Sequence, residues 1–287
     1  MPDFKLVSRI IITCSNRLSN YLQAEITELG FKPERVFKTG VELKGSLQDC
    51  ICLNLNLRCA SQVLFSLKEF TANNADDLYK TLIDFSWEDV IAEDGYFSIS
   101  SNVSNDTINN TLFANVKVKD AIVDRFRNKT GGRPNSGPEI DKTVIHLYWK
   151  DSLAEIFIDT SGETLSKHGY RKIPGKAPML ESLAAATLLA TRWDRRLVFI
   201  NPMCGSGTVA IEAALLATNR KPGLLRFNYA FMHLCGYDEK FYLTEFDKLE
   251  KQVIDLKDLK IIATDISDDA INISKVNAGI AGVEEFI

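Results

Sequence analysis

The feature that most constrains the fold is an apolar strand that runs into a glycine-containing loop and then into a helix. Residues 197–202 (LVFINP) form the apolar stretch, and GTVAIEAALLA follows the loop as a predicted helix. A second apolar stretch at 259–267 (LKIIATDIS) leads into another predicted helix, DDAINISKVNAGIAG. Apolar strands that are each followed by a helix are typical of a parallel sheet covered on both faces. The C-terminal part is therefore predicted to be an α/β unit.

The loop after the first strand has the composition of a ligand-binding turn. It comprises Asn201, Pro202, Met203, Cys204, Gly205, Ser206, Gly207 and Thr208. Glycines permit a tight turn and a close approach of the backbone to a ligand. The helix that follows offers free N–H groups and the positive end of its dipole. Such a loop suits a nucleoside, or the carboxylate of an amino acid attached to one. The alternative is that its glycines serve only the turn.

Asp265 ends the second apolar strand, where an acidic residue typically accepts hydrogen bonds from ribose hydroxyls. The usual spacing from the glycine loop is about 20 residues, whereas Gly205 and Asp265 are 60 residues apart. Residues 219–258, with their own helix near 239–254, are therefore predicted to be an insertion. The alternative is that Asp265 only caps the next helix. The loop lacks the G-x-x-x-x-G-K-[ST] pattern, which disfavours ATP.

The first 160 residues read as a mixture of helices and strands, followed by a segment rich in Lys, Gly and Pro at 166–178. Apolar periodicity predicts the elements. The predicted helices are 16–29, 46–58, 75–83 and 113–129, and the predicted strands are 6–14, 63–70, 96–103 and a hairpin of 144–150 with 154–161. The fold class predicted for the chain is an α+β N-terminal part followed by an α/β domain.

The net charge of −4 excludes a uniformly basic surface, but the charge is unevenly distributed. Residues 236–287 contain six Lys and twelve Asp or Glu, so the other 235 residues have a net charge of +2. No apolar run reaches the length of about 18 residues that a membrane span needs, and no secretory signal is recognised, so we expect a cytoplasmic protein. The six cysteines follow no zinc spacing and are expected to be reduced thiols without a metal.

Two groups of cations are candidates for RNA binding. The helix cluster consists of Lys117, Lys119, Arg125, Arg127, Lys129 and Arg133. The junction cluster consists of Lys167, His168, Arg171 and Lys172, with Tyr170 among them as a candidate for stacking on a base. The alternative for the helix cluster is an ordinary solvated helix face.

The stretch NPMCGSGTVAIEAAL resembles the cofactor loop of the bacterial ribosomal-RNA large-subunit methyltransferases that join a THUMP RNA-binding domain to a class I methyltransferase domain. Three other stretches are similar to the same family: GVELKGSLQDCICLNLNLRCASQVL, NVKVKDAIVDRFRNKTGGRP and DTSGETLSKHGYRKIPGKAPMLESLAAATLL. The resemblance implies a ferredoxin-like piece at 1–45, THUMP at 46–160 and a Rossmann-like methyltransferase domain at 166–287. It also implies S-adenosylmethionine as the methyl donor, with Asp265 on the ribose and Ile266 beside the adenine.

The same resemblance implies that the acceptor is the exocyclic amino group (N2) of a guanine in large-subunit ribosomal RNA. The family's catalytic Asn-Pro-Pro-Tyr motif is missing, because the only Asn-Pro pair is Asn201–Pro202 in the loop. We therefore assign no catalytic residue and expect either a fragment of a longer protein or a catalytically incomplete one. The alternatives are an adenine-amino (N6) DNA or RNA methyltransferase and a non-catalytic RNA-binding module. A Rossmann-type oxidoreductase is the least favoured alternative.

Overall fold

The computed structural model describes residues 4–195, 197–256 and 258–287. Its N-terminal unit has the order βαββαβ, and its strands pair antiparallel in the order β2-β3-β1-β4. The elements are β1 (Ser8–Thr13), α1 (Ser19–Glu28), β2 (Arg35–Phe37), β3 (Gly40–Gly45), α2 (Leu47–Asn56) and β4 (Gln62–Thr71). This unit continues past residue 45, where the sequence placed its end, because α2 and β4 complete it.

The second unit extends the same sheet. Its elements are α3 (Ala75–Ile83), β5 (Tyr96–Ser104), α4 (Thr111–Thr130), β6 (Asn135–Ser136), β7 (Thr143–Lys150) and β8 (Leu153–Asp159). Strand β8 pairs antiparallel with both β4 and β7, and β7 pairs parallel with β5. The result is one eight-stranded sheet in the order β2-β3-β1-β4-β8-β7-β5-β6.

The helices of both units lie on one face of this sheet, because the strands alternate between apolar and mixed positions. Ile10 and Ile12 point into the main core with Leu22 of α1, whereas Ile11 between them joins a small separate cluster. Side chains alternate between the two faces of a strand, so Ile11 marks the opposite face. That face carries Leu64 and Phe157 in the same small cluster.

The C-terminal unit is the predicted α/β arrangement. Its elements are α5 (Glu181–Thr191), β9 (Phe199–Pro202), α6 (Thr208–Ala217), α7 (Glu239–Lys251), β10 (Ile261–Thr264) and α8 (Asp268–Ala281). Strands β9 and β10 pair in parallel, with Phe199 opposite Ile261 and Pro202 opposite Thr264. Direct pairing of these strands confirms that the chain between α6 and β10 is an insertion. Ile200 and Ile262, which face each other in the register, are exposed.

The insertion packs against the N-terminal unit, where α7 and a short 3-10 turn at Pro222–Leu225 contact α2. Gly223 allows this close approach, because a Cβ there would lie 2.5 Å from Cα of Leu55. The buried Arg58 crosses the same interface: its Nη2 donates to the carbonyl oxygens of Leu215 (3.2 Å) and Arg220 (2.7 Å) at the end of α6. These contacts dock the C-terminal unit onto the ferredoxin-like unit.

All six cysteines are free thiols. No helix within the described ranges combines the length and apolar character needed to cross a membrane.

Candidate cofactor site and basic surfaces

The loop between β9 and α6 is held to the end of β10 by hydrogen bonds. The backbone N–H of Cys204 donates to the carbonyl of Thr264 (2.8 Å), and that of Gly205 donates to Oδ2 of Asp265 (2.9 Å). Because β9 and β10 are parallel, their carboxyl ends meet at one edge of the sheet, where such folds bind ligands. The structure therefore brings together the two features that the sequence singled out 60 residues apart.

The two loop glycines have different roles, although both have positive φ. A Cβ on Gly207 (φ +84°) would lie 3.0 Å from Cβ of Ser274 and closer still to its hydroxyl oxygen, so this glycine lets α6 pack against α8. A Cβ on Gly205 (φ +56°) would have no heavy atom within 4 Å. The space above Gly205 is thus open for a ligand to approach the backbone.

Asp265 is an ionised hydrogen-bond acceptor in this arrangement. The backbone N–H groups of Ser267 (3.0 Å) and Gly205 lower its pKa below the ordinary value for an aspartate. The cap of α8 is Ser267, whose hydroxyl oxygen accepts from the N–H of Ala270 (3.3 Å). Asp265 therefore bridges the loop and the turn before α8, and its half-buried carboxylate retains lone pairs for further donors.

The residues around this edge fit a nucleoside with an amino-acid tail. Met203 in the loop and Ile266 after β10 expose almost all of their apolar side chains, which offers apolar surface to a heterocycle. Oδ1 of Asn201 is buried without a hydrogen-bond partner and is thus an acceptor available at the strand end. Ser206 and Thr208 are buried, and their hydroxyls lie 3.3 Å apart at the start of α6.

The segment after the junction is tied to the same loop. Nη2 of Arg171 donates to Oγ1 of Thr208 (3.1 Å) and also to the carbonyl of Met179. Nδ2 of Asn277 donates both to Ser206 O (3.2 Å) and to Ile173 O (3.1 Å), which joins α8, the loop and the junction. Asn277 was not predicted as a site residue, because its burial in α8 is visible only in the structure.

Three members of the junction cluster, His168, Tyr170 and Arg171, do not present free side chains to RNA. His168 is fully buried, with Nδ1 2.7 Å from Glu212 and Nε2 3.0 Å from the carbonyl oxygen of Arg58. Tyr170 is also fully buried, and Arg171 is ion-paired with Glu181 (3.4 Å). The expectation that His168 and Tyr170 contact RNA is corrected, because both lie inside the protein. Lys167 and Lys172 remain exposed.

The helix cluster lies along α4 and the turn after it, and most of its charges are paired. Arg125 donates twice to Glu88 (3.2 and 2.8 Å), which with Lys129 lowers the pKa of that carboxyl to about 2. The remaining ion pairs are Lys117 with Asp76 at 3.9 Å and Arg127 with Asp124 at 3.3 Å. Within the described ranges, only Lys119 and Arg133 of this cluster lack an ion pair.

Three family models match consecutive parts of the chain: an RlmL ferredoxin-like domain at 9–64, a THUMP domain at 72–159 and an RMKL-like methyltransferase domain at 168–287. A crystal structure from Listeria monocytogenes, described as "a predicted N6-adenine-specific DNA methylase", superimposes with a TM-score of 0.88 at 30% identity. The alignment covers 98% of this chain and 74% of that one. The chain belongs to the THUMP-containing methyltransferase family.

Two further similarities bear on the site. The "Ribosomal RNA large subunit methyltransferase K/L" of Psychromonas ingrahamii is 36% identical over 280 residues, which cover 96% of this chain and 37% of that protein. The chain thus spans less than two fifths of the length of that relative. SMU.472, described as "a putative methyltransferase complexed with SAH", superimposes with a TM-score of 0.86 at 26% identity, covering 98% of this chain and 74% of that one.

Proposed function

We propose that the protein is an S-adenosylmethionine-dependent RNA methyltransferase that acts in the cytoplasm on a guanine N2 amino group of large-subunit ribosomal RNA. The observation that carries the cofactor assignment is the hydrogen bond from the Gly205 N–H to Asp265, with open space above that glycine. The substrate assignment is supported by the THUMP match at 72–159 and by the description of the Psychromonas relative.

The cofactor, when bound, supplies an electrophilic methyl group on a sulfonium. Asp265 is positioned to accept hydrogen bonds from the ribose hydroxyls, and Ile266 to lie against the adenine. The N–H groups at the start of α6 favour the carboxylate of the amino-acid part, because a helix N-terminus attracts negative charge. Oδ1 of Asn201, which is buried and unpaired, is a further acceptor for an ammonium or hydroxyl donor.

RNA contacts in this proposal come from the cations that remain available. These are Lys119 and Arg133 of the helix cluster and Lys167 and Lys172 of the junction cluster. Lys167 has one partner, Glu163 at 3.1 Å, and both side chains are more than half exposed, so a phosphate can displace this weak pair. Arg171 is assigned instead to holding the loop through Thr208.

The cofactor assignment is tested by isothermal titration of S-adenosylhomocysteine into the chain and its Gly205→Ala variant. The new methyl group projects into the space above the loop, so we expect at least a tenfold loss of affinity. Gly131→Ala is the matched control, because Gly131 also has positive φ (+79°) and no heavy atom near its Cβ position, but ends α4. Unchanged affinity in Gly205→Ala would refute the assignment.

The acceptor is tested with the protein and large-subunit ribosomal RNA from cells that lack the modification. Nucleoside mass spectrometry after the reaction should show N2-methylguanosine, and Gly205→Ala should abolish it. N6-methyladenosine in RNA or DNA would instead support the adenine-amino alternative, which the description of the Listeria structure motivates. RNA binding without any methylated nucleoside would support the non-catalytic module.

A further inference from the structure

The face of the eight-stranded sheet that carries no helices closes around a cavity. Arg35 of β2 and Asn102 of β5 both line this cavity, whose volume is about 330 Å³. Strands β2 and β5 are six positions apart in the sheet, which in a flat sheet would separate them by about 29 Å. The sheet must therefore curl strongly around its open face. Such a concavity resembles the mouth of a β-barrel, one of the common places for ligand sites.

The floor of this concave groove is apolar and its walls are largely aromatic. Ile11, Leu64 and Phe157 form the floor, and all three are buried although no helix lies over them. Phe37 packs against this cluster. Tyr148 on β7 lines the cavity and is 37% exposed, so part of its ring is free for contact with a ligand.

His146 adds a neutral polar edge to the groove. Its ring lies 6.4 Å from that of Phe157, and its Nδ1 is 2.8 Å from the hydroxyl of Ser100. Burial lowers the pKa of His146 to about 4, so the imidazole is uncharged at neutral pH. A neutral imidazole presents one donor and one acceptor nitrogen, and Ser100 accounts for only one of them.

Two groups in the groove lack partners. The buried hydroxyl of Thr13 has no hydrogen bond, and a buried polar atom without a partner is costly. Arg35 has no ion pair or hydrogen bond within the described ranges, whereas Arg9 is compensated by Glu42 (3.4 Å), Glu69 (3.4 Å) and Glu155 (3.2 Å). The cavity therefore combines an apolar floor, unpaired hydrogen-bonding groups inside and one uncompensated positive charge at its rim.

We propose that this groove binds one unpaired nucleotide of an RNA, with its base against Tyr148 and Phe37 and its phosphate at Arg35. That the nucleotide belongs to an RNA rests on the proposed function. That a nucleotide fits the groove rests only on the side chains that line it. A base can pack its ring against the apolar floor and form a hydrogen bond with the hydroxyl of Thr13. A purely aliphatic ligand can make only the first of these interactions. Aromatic side chains on a sheet surface bind single-stranded RNA in this way. The groove shares no residue with the cofactor loop, so it would contact the RNA at a place separate from the site of methyl transfer.

The test is fluorescence anisotropy with a labelled eight-nucleotide single-stranded RNA of mixed sequence. Loss of stacking on one base typically costs about 1–3 kcal/mol, so Tyr148→Ala should weaken binding by about 5- to 160-fold. Arg35→Ala should weaken binding and reduce the slope of log affinity against log salt by about 0.7. The matched control is Lys38→Ala, which removes an exposed cation three residues from Arg35 that does not line the cavity, and it should bind like the wild type.

Thermal melts of all three variants check that the fold is retained. Wild-type affinity in both Tyr148→Ala and Arg35→Ala would overturn the proposal. It would leave the proposed function intact, because titration of S-adenosylhomocysteine and the methylation assay do not depend on the groove. A duplex of the same sequence whose binding depends equally on Tyr148 would also overturn it. Uridine 5′-monophosphate that competes as tightly as the oligomer would support the nucleotide site and overturn RNA as its source.

Discussion

Gly207→Ala should destabilise the C-terminal unit through one identifiable contact. The substitution places a methyl group 3.0 Å from Cβ of Ser274 and closer still to its hydroxyl, at a φ of +84°. The left-handed backbone costs an L-residue about 1–2 kcal/mol, and overpacking adds about 1–3 kcal/mol. The free energy of unfolding should therefore fall by about 2–5 kcal/mol. Gly131→Ala has similar φ (+79°) and no neighbour, so it should show only the backbone cost of about 1–2 kcal/mol.

Urea denaturation followed by circular dichroism measures both variants, and a double-mutant cycle isolates the contact. Ser274→Gly removes the atoms that Gly207→Ala would strike, although glycine within α8 itself costs about 1 kcal/mol. The double variant should therefore be about 1–3 kcal/mol more stable than the sum of the single effects. Strict additivity would refute the reasoning, since it would mean that α6 does not approach α8 at this point.

Two other predictions concern buried and half-buried charges. Arg125 and Lys129 lower the pKa of Glu88 to about 2. The stabilisation is therefore present above the unfolded-state pKa of about 4.5 and is lost as pH falls toward 2. Arg125→Ala should flatten the pH dependence of the melting temperature between these values, and an unchanged profile would contradict the pairing. His168→Ala removes the 2.7 Å partner of the buried Glu212, which should lower the free energy of unfolding in urea by about 2–3 kcal/mol; a loss below about 0.5 kcal/mol would show that water replaces the imidazole.

The local patterns in the sequence predicted most of the elements. Alternation predicted β5, and the 3.6-residue period predicted α4, which buries one face. The hairpin of β7 and β8 was also predicted, although β8 is buried at every position after Leu153. The site was predictable for a similar reason. Parallel neighbouring strands end at the same edge of a sheet. The loop at Gly205 and the carboxylate of Asp265 are therefore expected to meet there, whatever the position of the insertion between them.

Contacts between units were not predictable from the sequence. His168 and Tyr170 stand among cations, and the local composition suggests a solvent-exposed surface. Their burial depends on Arg58 and Glu212, which lie 110 and 44 residues away from His168. The curvature of the sheet was equally unpredictable, because it depends on the pairing of β4 with β8, which joins two units that are separate in the sequence. No periodicity within one strand reports which strand lies beside it.

The guanidinium of Arg58 at the end of α6 has a consequence for the order of folding. The last carbonyls of a helix lack partners within it, and here Leu215 receives its partner from a residue that is synthesised more than 150 positions earlier. Units generally fold from the N-terminus during synthesis, so the ferredoxin-like unit is in place before α6 emerges from the ribosome. A circular permutant that begins at 166 would reverse this order and expose the end of α6 without its partner. Folding of that permutant during translation should therefore be slower, and more prone to aggregation, than folding of the native order during translation.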